Sequence, residues 1–276
     1  MTLKKIKFSV LISTYKNDSS EHLFTSLQSI FDQTYVPDQV VLVIDGPINE
    51  ELTLVIKSFK EKYPLILDVK PLANNVGLGP ALNFGLTNCK NEWVARMDAD
   101  DISLPNRFER QILFLQENPH IDVLGANVEE FIKVPGDLKR INQAPPADTL
   151  FQYSRWRNPI NHPTVIFKKS VVQSVNSYED VPFFEDYYLW LRILQQGYLI
   201  DNLPDILVHF RNDIKTIGRR HGYDYMKIEY SFFKKVYRNK IMTFGQFVGN
   251  LIIRLPLRLL PKHILSILYH YVLRKS

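Results

Sequence analysis

The segment Arg96-Met97-Asp98-Ala99-Asp100-Asp101 places three carboxylates within four residues. Neighbouring like charges oppose each other's ionisation, so a fold that gathers them needs a compensating cation. Mg²⁺ suits such a site, taking one or two carboxylates and completing its shell with substrate phosphates. Mn²⁺ has similar ligand preferences. A metal held by this cluster would bridge the protein to a diphosphate and stabilise charge on a departing phosphate. A bare D-x-D is otherwise a solvated turn ahead of the helix expected near Pro105. Its position directly after an apolar strand favours the metal reading. A second acidic pair, Glu185-Asp186, opens a run of helical periodicity. The helix macrodipole there stabilises an ionised carboxylate, the form a proton acceptor holds before reaction. Ordinary helices also begin in this way.

The elements that must position these groups follow from hydrophobic periodicity. Strands are expected over 6–12, 40–44, 65–69, 93–97 and 121–129. Helices are expected from Ser19-Ser20-Glu21 to about Gln33, over 50–63, over 80–87, and from Pro105 through Phe108, Ile112 and Leu115. This β-α-β-α order predicts an α/β fold, a mostly parallel central sheet flanked by helices. In such sheets ligands bind beyond the carboxyl ends of the strands. Thr14-Tyr15, Asp45 and Asp98-Asp100 all fall there. After a weakly patterned stretch from about 135 to 160, further strands are expected at 165–167 and 206–210, with a helix over 185–195.

The chain has 276 residues, 45% hydrophobic and 23% charged, enough for a full core without staples. Its single cysteine, Cys89, allows no internal disulfide and fits a reducing compartment. The apolar run after Met1 is too short for a signal peptide, and none approaches the roughly 18–20 residues needed to span a bilayer. The expected location is cytoplasmic. Charge is uneven: residues 211–276 hold 14 Lys/Arg and 3 Asp/Glu, whereas residues 1–210 are net acidic. A basic tail on an acidic body points to an anionic partner.

Four pieces recur, in this order, in family 2 glycosyltransferases of the GT-A fold: Val10-Leu11-Ile12-Ser13-Thr14-Tyr15, Val41-Leu42-Val43-Ile44-Asp45-Gly46, Asn74-Asn75-Val76-Gly77-Leu78-Gly79 and Met97-Asp98-Ala99-Asp100-Asp101. Asn161-His162-Pro163-Thr164 and Glu185-Asp186-Tyr187-Tyr188-Leu189-Trp190 also fit. The chain resembles the bacterial branch that builds O-antigens, capsules and exopolysaccharides, over roughly residues 6–215. The resemblance implies a GT-A-like catalytic domain over 1–215, with a nucleotide-sugar-binding half (1–130) and an acceptor-binding half (131–215). It implies that Thr14, Tyr15 and Asp45 grip uridine, with Asn75 and Gly77 in the donor loop. Asp98 would contact ribose and share a divalent metal with Asp100, and Asp101 would orient these groups or touch the donor sugar. Arg96 would face the diphosphate or balance local charge. Asp186 would be the base, with Glu185 bonding the acceptor. Many relatives carry two acids at the second strand's end, where this chain has Ile44-Asp45. The implied reaction is inverting transfer of a hexose or N-acetylhexosamine from a UDP-sugar to a hydroxyl of a polyprenyl-diphosphate-linked glycan.

Gly77 and Gly79 let backbone approach a ligand, but a dinucleotide fingerprint would need a third glycine where Leu82 stands. A sugar-nucleotide nucleotidyltransferase would carry a glycine-rich basic loop after the first strand, and Ser13-Thr14-Tyr15-Lys16-Asn17 has no glycine. A non-catalytic nucleotide-sugar or lipid-surface binding protein is the other alternative. His162, Arg211, Arg219 and Arg220 are candidate contacts for acceptor or diphosphate. The basic helical region 216–276 includes Arg254, Arg258 and Lys262 at i, i+4 and i+8. That stripe fits peripheral contact with an anionic membrane on the cytoplasmic face, or a subdomain packed on the fold. Pro256 and Pro261 are expected to break it into pieces. The tail matches no nucleic-acid module, and no nucleic-acid partner is expected.

Overall fold

The computed structural model describes residues 6–212 and 221–259. Arg219, Arg220 and the tail from Leu260 on, Lys262 included, lie outside the described residues. The first half alternates β1 (Phe8–Thr14), α1 (Ser20–Phe31), β2 (Gln39–Ile44), α2 (Glu50–Lys62), β3 (Leu67–Pro71), α3 (Leu78–Asn88) and β4 (Trp93–Met97). There follow β5 (Ile102–Ser103), α4 (Arg107–Glu117), β6 (Val123–Phe131), β7 (Arg140–Asn142) and α5 (Ala147–Ser154). Then come β8 (Ile166–Lys168), α6 (Lys169–Ser174), α7 (Glu185–Gln195), β9 (Ile200–Arg211), α8 (Tyr223–Arg238) and α9 (Phe244–Leu259).

The strands form one sheet in the order β3-β2-β1-β4-β8-β6-β9-β5, with β7 added on β6. From β3 to β4 every pairing is parallel. These strands are near-continuous apolar runs because both faces are covered. Val10, Ile12, Val40 and Leu42 face α1, α2 and α4 in one core. Leu11, Val41 and Val43 face the other, with Leu82, Leu86, Leu189 and Trp190. Beyond β4 the sheet is mixed. β8 runs antiparallel to β4 and β6, whereas β6 and β9 are parallel. The two-residue β5 pairs antiparallel with β9, Ile102 opposite His209. It is too short to show a period in sequence, yet it brings the distal end of β9 to the acidic loop after β4.

α7 lies between two cores. Leu189, Trp190 and Ile193 face the sheet. Tyr187, Tyr188 and Leu191 join Tyr225, Phe232, Phe233 and Val236 of α8 in a third cluster. α8 and α9 dock there through Glu229, which is fully buried. Its carboxylate accepts bonds from Arg258 Nε and Nη2 at 2.7 and 2.9 Å, and from Arg254 Nη1 at 3.2 Å. Of the two readings of the basic stripe, Arg254 and Arg258 meet packing on the fold: both turn inward to Glu229 on the facing helix. Pro256 does not break α9. It lies within a turn of the last described residue of the helix and costs one backbone hydrogen bond there. No helix among the described residues is long and apolar enough to cross a membrane.

Removing one member of a buried ion network leaves the others uncompensated, at about 3–5 kcal/mol. Glu229→Ala is therefore expected to lower unfolding free energy by that order in urea titrations. An unchanged midpoint would show that the hairpin does not depend on this carboxylate.

Candidate active site

The site is assembled at the carboxyl ends of β1, β2 and β4. β1 ends at buried Thr14, whose hydroxyl donates to Asp18 Oδ2 at 3.0 Å. The Tyr15 amide donates to the same oxygen at 3.1 Å. Asp18 thus closes the loop that presents Tyr15, just ahead of the Ser19 cap of α1. β2 ends at Asp45, whose carboxylate is buried and engaged. Val76 N donates to Oδ1 at 2.7 Å, while Gly77 N and Asn75 Nδ2 donate to Oδ2 at 3.1 and 2.9 Å. Charge-assisted bonds of this kind fix a loop firmly. Gly46, at φ +83°, follows because a Cβ there would lie 2.5 Å from Asn75 N. Asp45 therefore shapes the Asn75–Gly77 donor loop, whatever it also offers a ligand.

β4 carries buried Arg96 to the floor of the site, where Nη2 pairs with Asp98 Oδ1. Arg96 Nε and Nη1 are buried without a partner. Carboxylate oxygens of Asp98, Asp100 and Asp101 lie within 4.8 Å of one another. Asp101 is fully buried. Its Oδ1 accepts from Arg211 N at 2.8 Å, and its Oδ2 has no partner. Burial, then Asp98 and Asp100, push its carboxyl well above the ordinary range. Asp100 reaches solvent, yet desolvation, then Asp98 and Asp18, raise it to about 7. Asp18 rises to about 6, chiefly through burial and in part through Asp98. Four carboxyls gather here, and Arg96, Arg107 and Arg211 leave the carboxyls of Asp18, Asp100 and Asp101 raised. The orphaned Asp101 oxygen and this crowding fit a divalent cation held by Asp98 and Asp100. Arg211 closes the edge, with Nε donating to Asp100 O at 2.9 Å. His209 turns away, 2.9 Å from Glu129.

The facing wall is the N-terminus of α7. Asn158 Nδ2 donates to Asp186 Oδ2 at 2.7 Å. Glu185 is raised to about 7, mainly by burial and further by Asp186. A Cβ on Gly79 would lie 3.4 Å from Glu185 Cγ, so the donor loop and the acidic helix start adjoin. Asn83 locks them by exchanging two bonds with the backbone of Tyr178. His162 packs beneath, its Nε2 2.9 Å from Tyr178 Oη and its ring against Trp190. Burial and Arg96 hold its pKa well below the usual imidazole value. It is a neutral member of the wall.

The predicted residues Thr14, Tyr15, Asp45, Asn75, Gly77, Arg96, Asp98, Asp100, Glu185 and Asp186 are therefore brought to the carboxyl ends of β1, β2 and β4 and the adjoining start of α7. Residues 9–175 match the model of Glycosyl transferase family 2. The chain belongs to that family. It is 40% identical to the Escherichia coli UDP-Gal:alpha-D-GlcNAc-diphosphoundecaprenol beta-1,3-galactosyltransferase, over 98% of this chain and 97% of that one. It is 39% identical to the amylovoran biosynthesis glycosyltransferase AmsE of Erwinia amylovora, over 95% and 97%. Its fold matches S. aureus TarS at a TM-score of 0.65 and 20% identity, over 90% of this chain and 44% of that one. The Pyrobaculum calidifontis mannosyltransferase PcManGT matches at 0.65 and 18%, over 99% and 77%. This family-2 chain is thus a glycosyltransferase of GT-A architecture.

Asp18, Asn158 and Tyr178 escaped the sequence reading. Asp18 carries a faint signal, an acid three residues beyond Tyr15; Asn158 and Tyr178 have none, because their roles arise from tertiary contact.

Folded Asp100 keeps its proton to about 7, against an ordinary 3.8. The folded state binds that proton more tightly than the unfolded chain, so stability is lost as pH rises through this interval. In EDTA, Tm is expected to fall less steeply from pH 4 to 7 in Asp100→Asn than in wild type. Identical slopes would exclude this crowding as an energetic cost.

Proposed function

We propose that this glycosyltransferase moves a hexose or N-acetylhexosamine from a UDP-sugar to a hydroxyl of a polyprenyl-diphosphate-linked glycan, with inversion, in bacterial surface polysaccharide synthesis. The observation that carries the reading is that two acidic centres converge on one buried residue. Asp98 of the cluster after β4 and Asp186 at the α7 N-terminus both act on the buried Tyr178 hydroxyl. The similarity to the E. coli diphosphoundecaprenol galactosyltransferase over nearly the whole chain supports a UDP-sugar and a lipid-linked acceptor.

Thr14, Tyr15 and the Asp45-shaped loop hold the nucleoside. Asp98 and Asp100 would hold Mn²⁺ or Mg²⁺, which would supply positive charge to the departing diphosphate. Arg96 fixes Asp98, and Arg211 braces the loop from behind. The macrodipole of α7 favours ionised Asp186, and Asn158 orients its carboxylate. Asp186 takes the acceptor hydroxyl proton as that oxygen attacks the anomeric carbon opposite the leaving nucleotide. Single displacement needs no second nucleophile. Glu185, raised to about 7, is placed to donate a hydrogen bond to the acceptor. Residues 1–215 form the catalytic unit in this reading, and 216–276 a helical region that approaches the cytoplasmic membrane face.

Asp186→Asn is expected to reduce kcat by roughly 10²–10⁴-fold while calorimetric UDP affinity stays within about twofold of wild type. Wild-type turnover would remove Asp186 from the base role. Asp100→Ala, or EDTA, is expected to abolish metal-dependent UDP binding; unchanged binding would refute the metal site. UDP, not pyrophosphate, is the expected product, and pyrophosphate would instead indicate nucleotidyl transfer.

A further inference from the structure

Away from the acidic cluster, the end of α5 and the α8–α9 turn line an open pocket of about 500 Å³. Its lining includes Arg155, Arg238 and Lys240 and no carboxylate. Arg155 is only 8% exposed, and its Nη1 is buried with no hydrogen-bond partner. Its backbone is pinned by Asn250, which donates to Arg155 O at 3.0 Å. Its guanidinium lies 4.2 Å over the Phe151 ring. A buried guanidinium with an orphaned donor is costly unless an acceptor arrives. Thr243 and Gln246 cap the N-terminus of α9 reciprocally, at 2.9 and 3.2 Å. They place the positive end of a 16-residue helix at the same cavity. Three cations and a helix start, facing an opening without acids, describe a phosphate site.

The surroundings select the kind of phosphate. Phe244 is 64% exposed at the cavity edge, and Phe151 and Tyr237 in the lining are exposed as well. Along α9, Phe244, Ile252 and Leu259 are exposed and recur at helical spacing, with half-buried Val248 between them. The opposite face carries Asn250, Arg254 and Arg258, which bind the rest of the fold. An apolar stripe beginning at a cationic pocket with an aromatic rim matches the headgroup–acyl boundary of a bilayer. A soluble phosphate ester needs no such stripe.

We propose that this cavity binds the phosphate of an anionic phospholipid headgroup and seats the apolar face of α9 on the membrane. The inference deepens the lipid-linked-acceptor reading and relocates its membrane contact from the Arg254/Arg258 stripe to the α8–α9 turn. It is tested without donor or acceptor, so the two readings fail separately. The full chain is sedimented with phosphatidylcholine vesicles and with vesicles also containing phosphatidylglycerol. Wild type is expected to bind only the latter. Arg238→Gln/Lys240→Gln, at two exposed positions, is expected to weaken binding roughly 10–30-fold, on the order of a tenfold loss or less per cation removed near an anionic surface. Phe244→Ser is expected to weaken it too, and Lys57→Gln/Lys90→Gln to leave it unchanged. UDP binding by every variant is expected to match wild type. Undiminished vesicle binding by Arg238→Gln/Lys240→Gln, or equal losses in both double variants, would overturn the proposal. Saturable binding of glycerol phosphate without vesicle binding would overturn it in favour of a soluble phosphate ligand.

Discussion

The acidic cluster depends on a buried cation. Arg96 lies buried at the end of β4, paired with Asp98, and its charge also draws the carboxyls of Asp100 and Asp101 down. Burying a guanidinium demands carboxylates, yet gathering this many leaves negative charge in excess. The remainder of the architecture accommodates that imbalance. Arg211 supplies an amide to Asp101 and a guanidinium hydrogen bond to the loop. Asp18 is turned to Thr14 and Tyr15 rather than into the cluster. A divalent ion at Asp98 and Asp100 would offset that excess.

Asp45 organises its surroundings whatever it also offers a ligand. Its two oxygens accept from Val76, Gly77 and Asn75. The loop after β3 is thereby tied to the end of β2 by three charge-assisted bonds. Gly46 completes the arrangement through both its positive φ and its missing Cβ.

Much of this was legible in sequence because the parallel strands are buried on both faces. Val40 to Ile44 and Trp93 to Met97 announce themselves as apolar runs, and the acids that follow them are then placed by the fold rule alone. α7 was equally plain from its periodicity. The second half was less so. β5 and β7 are too short to carry a period, α5 and α6 are short amphipathic pieces among prolines and polar residues, and β9 passes through Pro204 beyond its expected ends. Arg254 and Arg258 had the spacing of a surface stripe, but spacing does not say which side of a helix faces the protein. The partner that decides it, Glu229, lies 25 and 29 residues away. Asn158 and Tyr178 were invisible for the same reason.

The pairing of β5 with β9 has a consequence for how the enzyme comes into being. The amide that closes Asp101 belongs to a residue 110 positions later in the chain. A ribosome releases the parallel strands first, and domains assemble as their sequence emerges. Through that interval the nascent chain carries Asp98, Asp100 and Asp101 but lacks the strap across their loop. Such distant closure is slow to form. Premature termination anywhere before β9 therefore leaves Asp101 without that amide and β6 and β5 without the strand between them.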